Sequence, residues 1–154
     1  MKKEYVKVYV TIGIIGILSF LNIFQYTQNH YNEIHRKEKA DSNFNLAMQS
    51  ICLGIKEVES NERDIIPSLP FLSSATSKAV SVYGYTSYYE KNSSLEGILW
   101  VLNNNITNRS NIEEVVAKKD LTLLLPILEK VKNNPSDETL NEELYNLIQE
   151  NTTV

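Results

Sequence analysis

The 154-residue sequence predicts an all-α protein: one N-terminal transmembrane helix, a polar helical stalk and a small bundle of four to six helices. Three observations carry that expectation. Residues 8–24, VYVTIGIIGILSFLNIF, hold no formal charge. Beyond residue 43, apolar residues recur at spacings of three and four, the period of a helix with one buried face. No run of strict apolar–polar alternation of strand length interrupts that pattern.

The apolar segment comes first. Counted from Tyr5 to Tyr26 it has 22 residues, or roughly 32 Å of helix, enough to cross a hydrocarbon core of roughly 30 Å. Its start, MKKEYVK and then an apolar run, has the layout of a signal peptide. The run exceeds the usual cleaved length, however, and the bulky QYTQNHYNEIH after it lacks a small-x-small cleavage site. A retained anchor over residues 8–26 is expected, with residues 1–7 as a short cytoplasmic tail. Lys2, Lys3 and Lys7 favour the N-terminus inside and the C-terminal domain on the extracytoplasmic side. Arg36, Lys37 and Lys39 pull the other way from farther off. Tyr5, Lys7, Tyr9 and Tyr26 fall at the two interfacial positions of such an anchor. Inside it, Gly13, Gly16, Ser19 and Asn22 recur at every third residue. Such a row admits a close helix neighbour, and so a homodimer, although the spacing is not GxxxG and small residues are ordinary in membrane helices. The string IIGIL resembles part of the N-terminal helix of type IV pilins. The pilin processing site, a glycine followed by a methylatable residue and a glutamate, is missing, so the resemblance assigns no family.

Residues 27–43 are polar and contain no Pro or Gly, which predicts a helical stalk of roughly 25 Å. His30, Glu33 and His35 lie in it. The two histidines are five apart, about 140° around a helix, so they face apart and do not read as metal ligands.

A bundle is expected over residues 44–150, with residues 151–154 disordered. Phe44, Met48, Ile51, Ile55 and Val58 step by four and three, which reads as a core-facing stripe and, alternatively, as the seam of a coiled-coil dimer. Gly54 and the SNERD cluster at residues 60–64 are expected to end that helix. Residues 65–70, with Pro67 and Pro70, read as a turn. A helix then runs from about Phe71 to Tyr89, with Leu72, Ala75, Ala79, Val82 and Thr86 on one face. Ser77, Ser81 and Gly84 form part of a ridge of small residues on the other. On this helix Tyr83 and Tyr89 flank the apolar face, whereas Tyr85 and Tyr88 project from it. Tyr85, Tyr88, Ser77, Ser81 and Gly84 are therefore the candidate partner contacts, exposed tyrosine being a frequent interface anchor.

Capping boxes from Ser93 to Glu96 and from Ser110 to Glu113 open the next two helices. The first carries Leu95, Ile98, Leu99, Leu102 and Ile106, with Trp100 on its flank. LTLLLPIL, residues 121–128, is the expected heart of the core, either kinked or divided at Pro126. Asn134-Pro135-Ser136 begins the last helix. Its outer face carries Asp137, Glu138, Glu142, Glu143 and Glu150, with no basic residue inside the helix.

The charge excludes some functions. Residues 1–26 carry Lys2, Lys3 and Lys7 against Glu4, and the rest of the chain has 12 basic and 18 acidic side chains. An acidic domain repels phosphate, so no nucleic-acid partner is expected. Cys52 is the sole cysteine, so no disulfide closes within the chain. The two histidines are remote from Cys52, and no glycine-rich phosphate loop is present. The expectation is a non-enzymatic protein without cofactor or metal. It reads as a membrane-anchored interaction module docking a protein or envelope partner on the outer side of a bacterial membrane. The alternative is a sensor-like ligand-binding bundle acting through a partner membrane protein. A homodimer would form through the membrane helix or residues 44–58. Richness in Asn, Lys and Ile suggests the bacterial source.

Overall fold

The computed structural model describes residues 2–60, 65–108 and 114–150, with side chains placed at residues 7, 9–60, 67–107 and 121–150. Five α-helices fill these stretches: α1 (Lys2–Glu59), α2 (Ile65–Tyr83), α3 (Ser94–Asn108), α4 (Glu114–Asn133) and α5 (Thr139–Glu150). No strand occurs among the described residues, and the architecture is the all-α one that the periodicity predicts. The chain divides into two compact units, Met1–Arg36 and Lys37–Val154.

In the first unit every described side chain is exposed. The apolar ones run from 43% exposed at Ile34 to 69% at Phe20, with Tyr9 at 72% and Tyr26 at 75%. The N-terminal part of α1 contains an 18-residue window of mean hydropathy 1.6, long and apolar enough to cross a membrane. In water such a surface is costly to hydrate, whereas in a bilayer it is already among its own kind, and the helix satisfies its backbone internally.

The second unit holds the core. Phe44, Met48, Ile51, Ile55 and Val58 of α1 meet Leu72, Ala79 and Tyr83 of α2, and Leu95, Leu99, Leu102 and Ile106 of α3. Leu121, Leu124, Ile127, Leu128 and Val131 of α4 and Leu144 and Ile148 of α5 complete it. Helix α2 packs on α3 and α4, and α5 packs on α3 and α4. The stripe from Phe44 to Val58 is thus spent on the domain's own core, each member 1% exposed or less, and is not a surface offered to a second copy.

Several boundaries differ from the sequence expectation. Gly54 does not end α1. It lies inside the helix, where an added Cβ would come 2.7 Å from Leu72 Cδ2, so its lack of a side chain admits α2. The segment 65–70 is the start of α2 rather than a turn. Pro67 falls in the first turn, where its missing N–H has no partner to lose, and Pro70 costs one helical bond that the burial of Leu69 and Leu72 offsets. Helix α2 then stops at Tyr83, six residues before the expected Tyr89. Helix α4 passes through Pro126 undivided, with that ring on its exposed side. Helix α5 begins at Thr139, where Asp137 Oδ1 accepts the Thr139 backbone N–H at 3.0 Å and its hydroxyl at 2.7 Å. The residues of the second capping box from Ser110 to Glu113, most of the cluster after Ser60, and residues 151–154 lie outside the described residues.

Candidate functional site

The anchor residues stand along a regular helix. Tyr9 and Tyr26 are 17 positions apart, roughly 25 Å along the axis, and Lys7 is exposed one turn before Thr11, whose hydroxyl donates to the Lys7 carbonyl at 3.0 Å. The Tyr5 side chain lies outside the described residues. Gly13 and Gly16 have open space where a Cβ would be, and Ser19 and Asn22 are exposed on the same helix. Farther along, Tyr26 stacks on His30 with ring centroids 6.4 Å apart, and Tyr31 meets His35 edge-on at 4.3 Å. Among the described residues no group of three or more His, Cys, Asp or Glu could hold a metal ion.

In the second unit the early stop of α2 rearranges the tyrosines. Past Tyr83 the chain leaves the helix, so the side-chain directions of a helical wheel no longer apply, and residues 84–93 fold back over α1. Three α1 residues spaced by four hold them. Lys37 Nζ reaches Glu90 Oε1 at 2.6 Å, Asp41 accepts the Ser87 N–H and hydroxyl at 2.8 and 2.7 Å, and Asn45 donates to the Tyr88 hydroxyl at 3.4 Å. Tyr88 is half-buried with its ring 6.0 Å from Phe44, which also meets Tyr83 at 5.0 Å. Tyr85 alone of these tyrosines points broadly to solvent, at 63% exposed. The small-residue ridge lies along α3: Ser77 donates to Asn103 Oδ1 at 3.0 Å, Ser73 bonds Thr107 at 2.8 Å, and a Cβ at Gly84 would stand 3.4 Å from Glu96 Oε1. Ser81 bonds only its own helix, at the Lys78 carbonyl. Of the five candidate contacts, Tyr85 and Ser81 are thus exposed without a bond to another helix, while Ser77 and Tyr88 are bonded within the domain.

Beneath this surface is a fully bonded polar node. Tyr83 is wholly buried and donates to the Asn92 carbonyl at 2.7 Å; burial pushes its phenol well above the usual range, assisted by the charge of Glu96. The Asn92 amide donates to the Pro135 carbonyl at 2.9 Å and exchanges hydrogen bonds with the Asn141 amide, which also reaches Ser94. Both asparagines are at most 5% exposed, and no described buried side-chain polar atom lacks a partner. Cys52 is buried too, and its thiol is pushed up chiefly by desolvation, with Lys132 opposing.

Above the node opens a groove of about 490 Å³ between the starts of α3 and α5. Ser93, Ser94 and Ile98 line one side, and Glu138, Asn141, Glu142 and Tyr145 the other. The acidic face of α5 was legible in the sequence. Tyr145 escapes notice there, although Glu138, Glu142 and Tyr145 at positions i, i+4 and i+7 already share one helical stripe. Protein-family models, characterised proteins and solved structures, compared with this chain, give no match.

Proposed function

We propose that the protein is a membrane-anchored, non-enzymatic helical interaction module. In this reading residues 8–26 hold it in a bacterial membrane, and the unit Lys37–Val154 meets a protein or envelope partner on the extracytoplasmic side. The observation that carries the reading is the exposed apolar length of α1, followed by a separate unit with its own closed core. The lysines at positions 2, 3 and 7 supply the orientation. The non-enzymatic part rests on the placement of the reactive side chains. His30 and His35 belong to the first unit, and the Cys52 thiol is buried and held protonated, the opposite of an activated nucleophile. Surface aromatics such as Tyr85 and Trp100, 63% and 57% exposed, are the side chains that interfaces favour.

Topology tests it. With Cys52→Ser and Val154→Cys combined, a membrane-impermeant maleimide is expected to label intact cells. Labelling only after lysis would place the domain in the cytoplasm and overturn the orientation. Labelled protein in the medium would mean that the anchor is removed.

A further inference from the structure

We infer that the groove between α3 and α5 receives a lysine or arginine side chain of the partner, so that the partner presents a basic segment to this domain. The inference rests on the interaction-module reading above and names the chemistry of the partner.

The charges on α5 and just before it are unequally committed. Asp137 is spent on capping Thr139, and Glu143 is taken by Lys130 at 3.0 Å. The side-chain carboxylates of Glu138 and Glu142, which line the groove, have no hydrogen-bond or ion-pair partner among the described residues. No lysine or arginine follows Lys132 in the sequence. The walls suit the rest of a basic side chain. Its methylene stem can lie on Ile98 and the Tyr145 ring while its charged head sits between the two carboxylates, an arrangement that combines snorkelling, cation–π attraction and charge-assisted hydrogen bonds. The floor is rigid, because Asn141 is 5% exposed and locked to Asn92 and Ser94. A preorganised floor lowers the cost of binding. Charge complementarity extends over the whole unit, where residues 37–154 carry 11 basic and 17 acidic side chains. A negative field of that kind steers a basic partner in and turns an acidic one away.

The test uses the full chain in zwitterionic lipid nanodiscs, titrated with the peptide acetyl-Gly-Ser-Arg-Ser-Gly-amide and with its neutral citrulline counterpart. The arginine peptide is expected to shift the NMR signals of Ile98, Glu142 and Tyr145, more weakly as salt rises. The combined Glu138→Gln and Glu142→Gln exchange, at exposed positions that leave the melting temperature unchanged, is expected to raise Kd about tenfold, or about 1.4 kcal/mol. Equal binding of the citrulline peptide, shifts mapping elsewhere, or unchanged binding by the double variant would each overturn the inference. A photo-cross-linking residue in place of Ser93 separates this idea from its premise in cells. Cross-linking to one protein that the double variant loses supports the groove. Cross-linking that the double variant keeps undiminished rejects the groove and leaves the module standing. If the residue captures nothing from Ser93, Tyr85 or Trp100, the module reading falls, and the inference with it.

Discussion

Adding a methyl group at Gly54 would place it 2.7 Å from Leu72 Cδ2 and 3.0 Å from Phe71 Cε1. Two effects then compete. Alanine is favoured over glycine inside a helix by about 1 kcal/mol, and overpacking a filled core costs about 1–3 kcal/mol. Leu72 is wholly buried, so its Cδ2 must shift within a packed core to admit the methyl group, and the clash prevails. Gly54→Ala is expected to destabilise the domain by about 1 kcal/mol and lower its melting temperature by about 4 °C or more. A melting temperature raised by the exchange would show that α2 does not need this close approach. The sequence offers a glycine near a polar cluster and so suggests a helix end; the reason for it lies on another helix, which local pattern cannot see. Asn92 is similar. It reads as a loop residue ahead of a cap, and only the fold brings Asn141 and the Pro135 carbonyl onto its amide.

Between elements, α1 is tied to its neighbours by two surface ion pairs, Lys37 with Glu90 and Lys56 with Glu129, both at 2.6 Å. The hydrogen bond from each lysine, and then its charge, holds the glutamate below the ordinary carboxyl range. A carboxyl lowered by folding adds stability above the unfolded glutamate value of about 4.3 and loses it as the pH falls through the folded value. The Lys56 ammonium is raised by the same hydrogen bond, so its share persists below the usual lysine value and fades as the pH rises past it. Glu90, Lys56 and Glu129 are substantially open to water and Lys37 is partly so, so each pair is weak. Glu129→Gln is therefore expected to lower the melting temperature slightly at pH 7, with the difference vanishing near pH 2 or in 1 M salt. An undiminished difference at low pH would mean that the glutamate acts through packing. Helix identities and core faces were legible from apolar spacing, since burial imposes the same period on the sequence that it imposes on the fold. Helix ends were less so. Pro67 and Pro70 signal a break to a local reading, yet a proline in the first turn loses nothing, and packing of Leu69 and Leu72 outweighs the second.

At the scale of the molecule, the apolar N-terminal helix and the all-α domain stood plainly in the sequence, because both follow from composition and period alone. The groove did not. Its acidic wall was visible on α5, but Ile98, Ser93 and Ser94 opposite come from a segment some 45 residues earlier, and only tertiary packing joins them. The Asn92–Asn141 exchange spans 49 residues of chain, against the four of a helical turn. A link of that span closes only after the intervening helices have docked, so it belongs to the late part of folding. Asn141→Ala should then leave the refolding rate nearly unchanged and speed unfolding, moving one arm of the denaturant chevron and not the other. Slowed refolding in stopped-flow measurements would instead put this pair of amides in the folding nucleus. If the pair closes late, it also opens first: α5, with its carboxylates, would be the helix the domain releases most readily, and amide hydrogen exchange would be fastest there among the helices of the second unit.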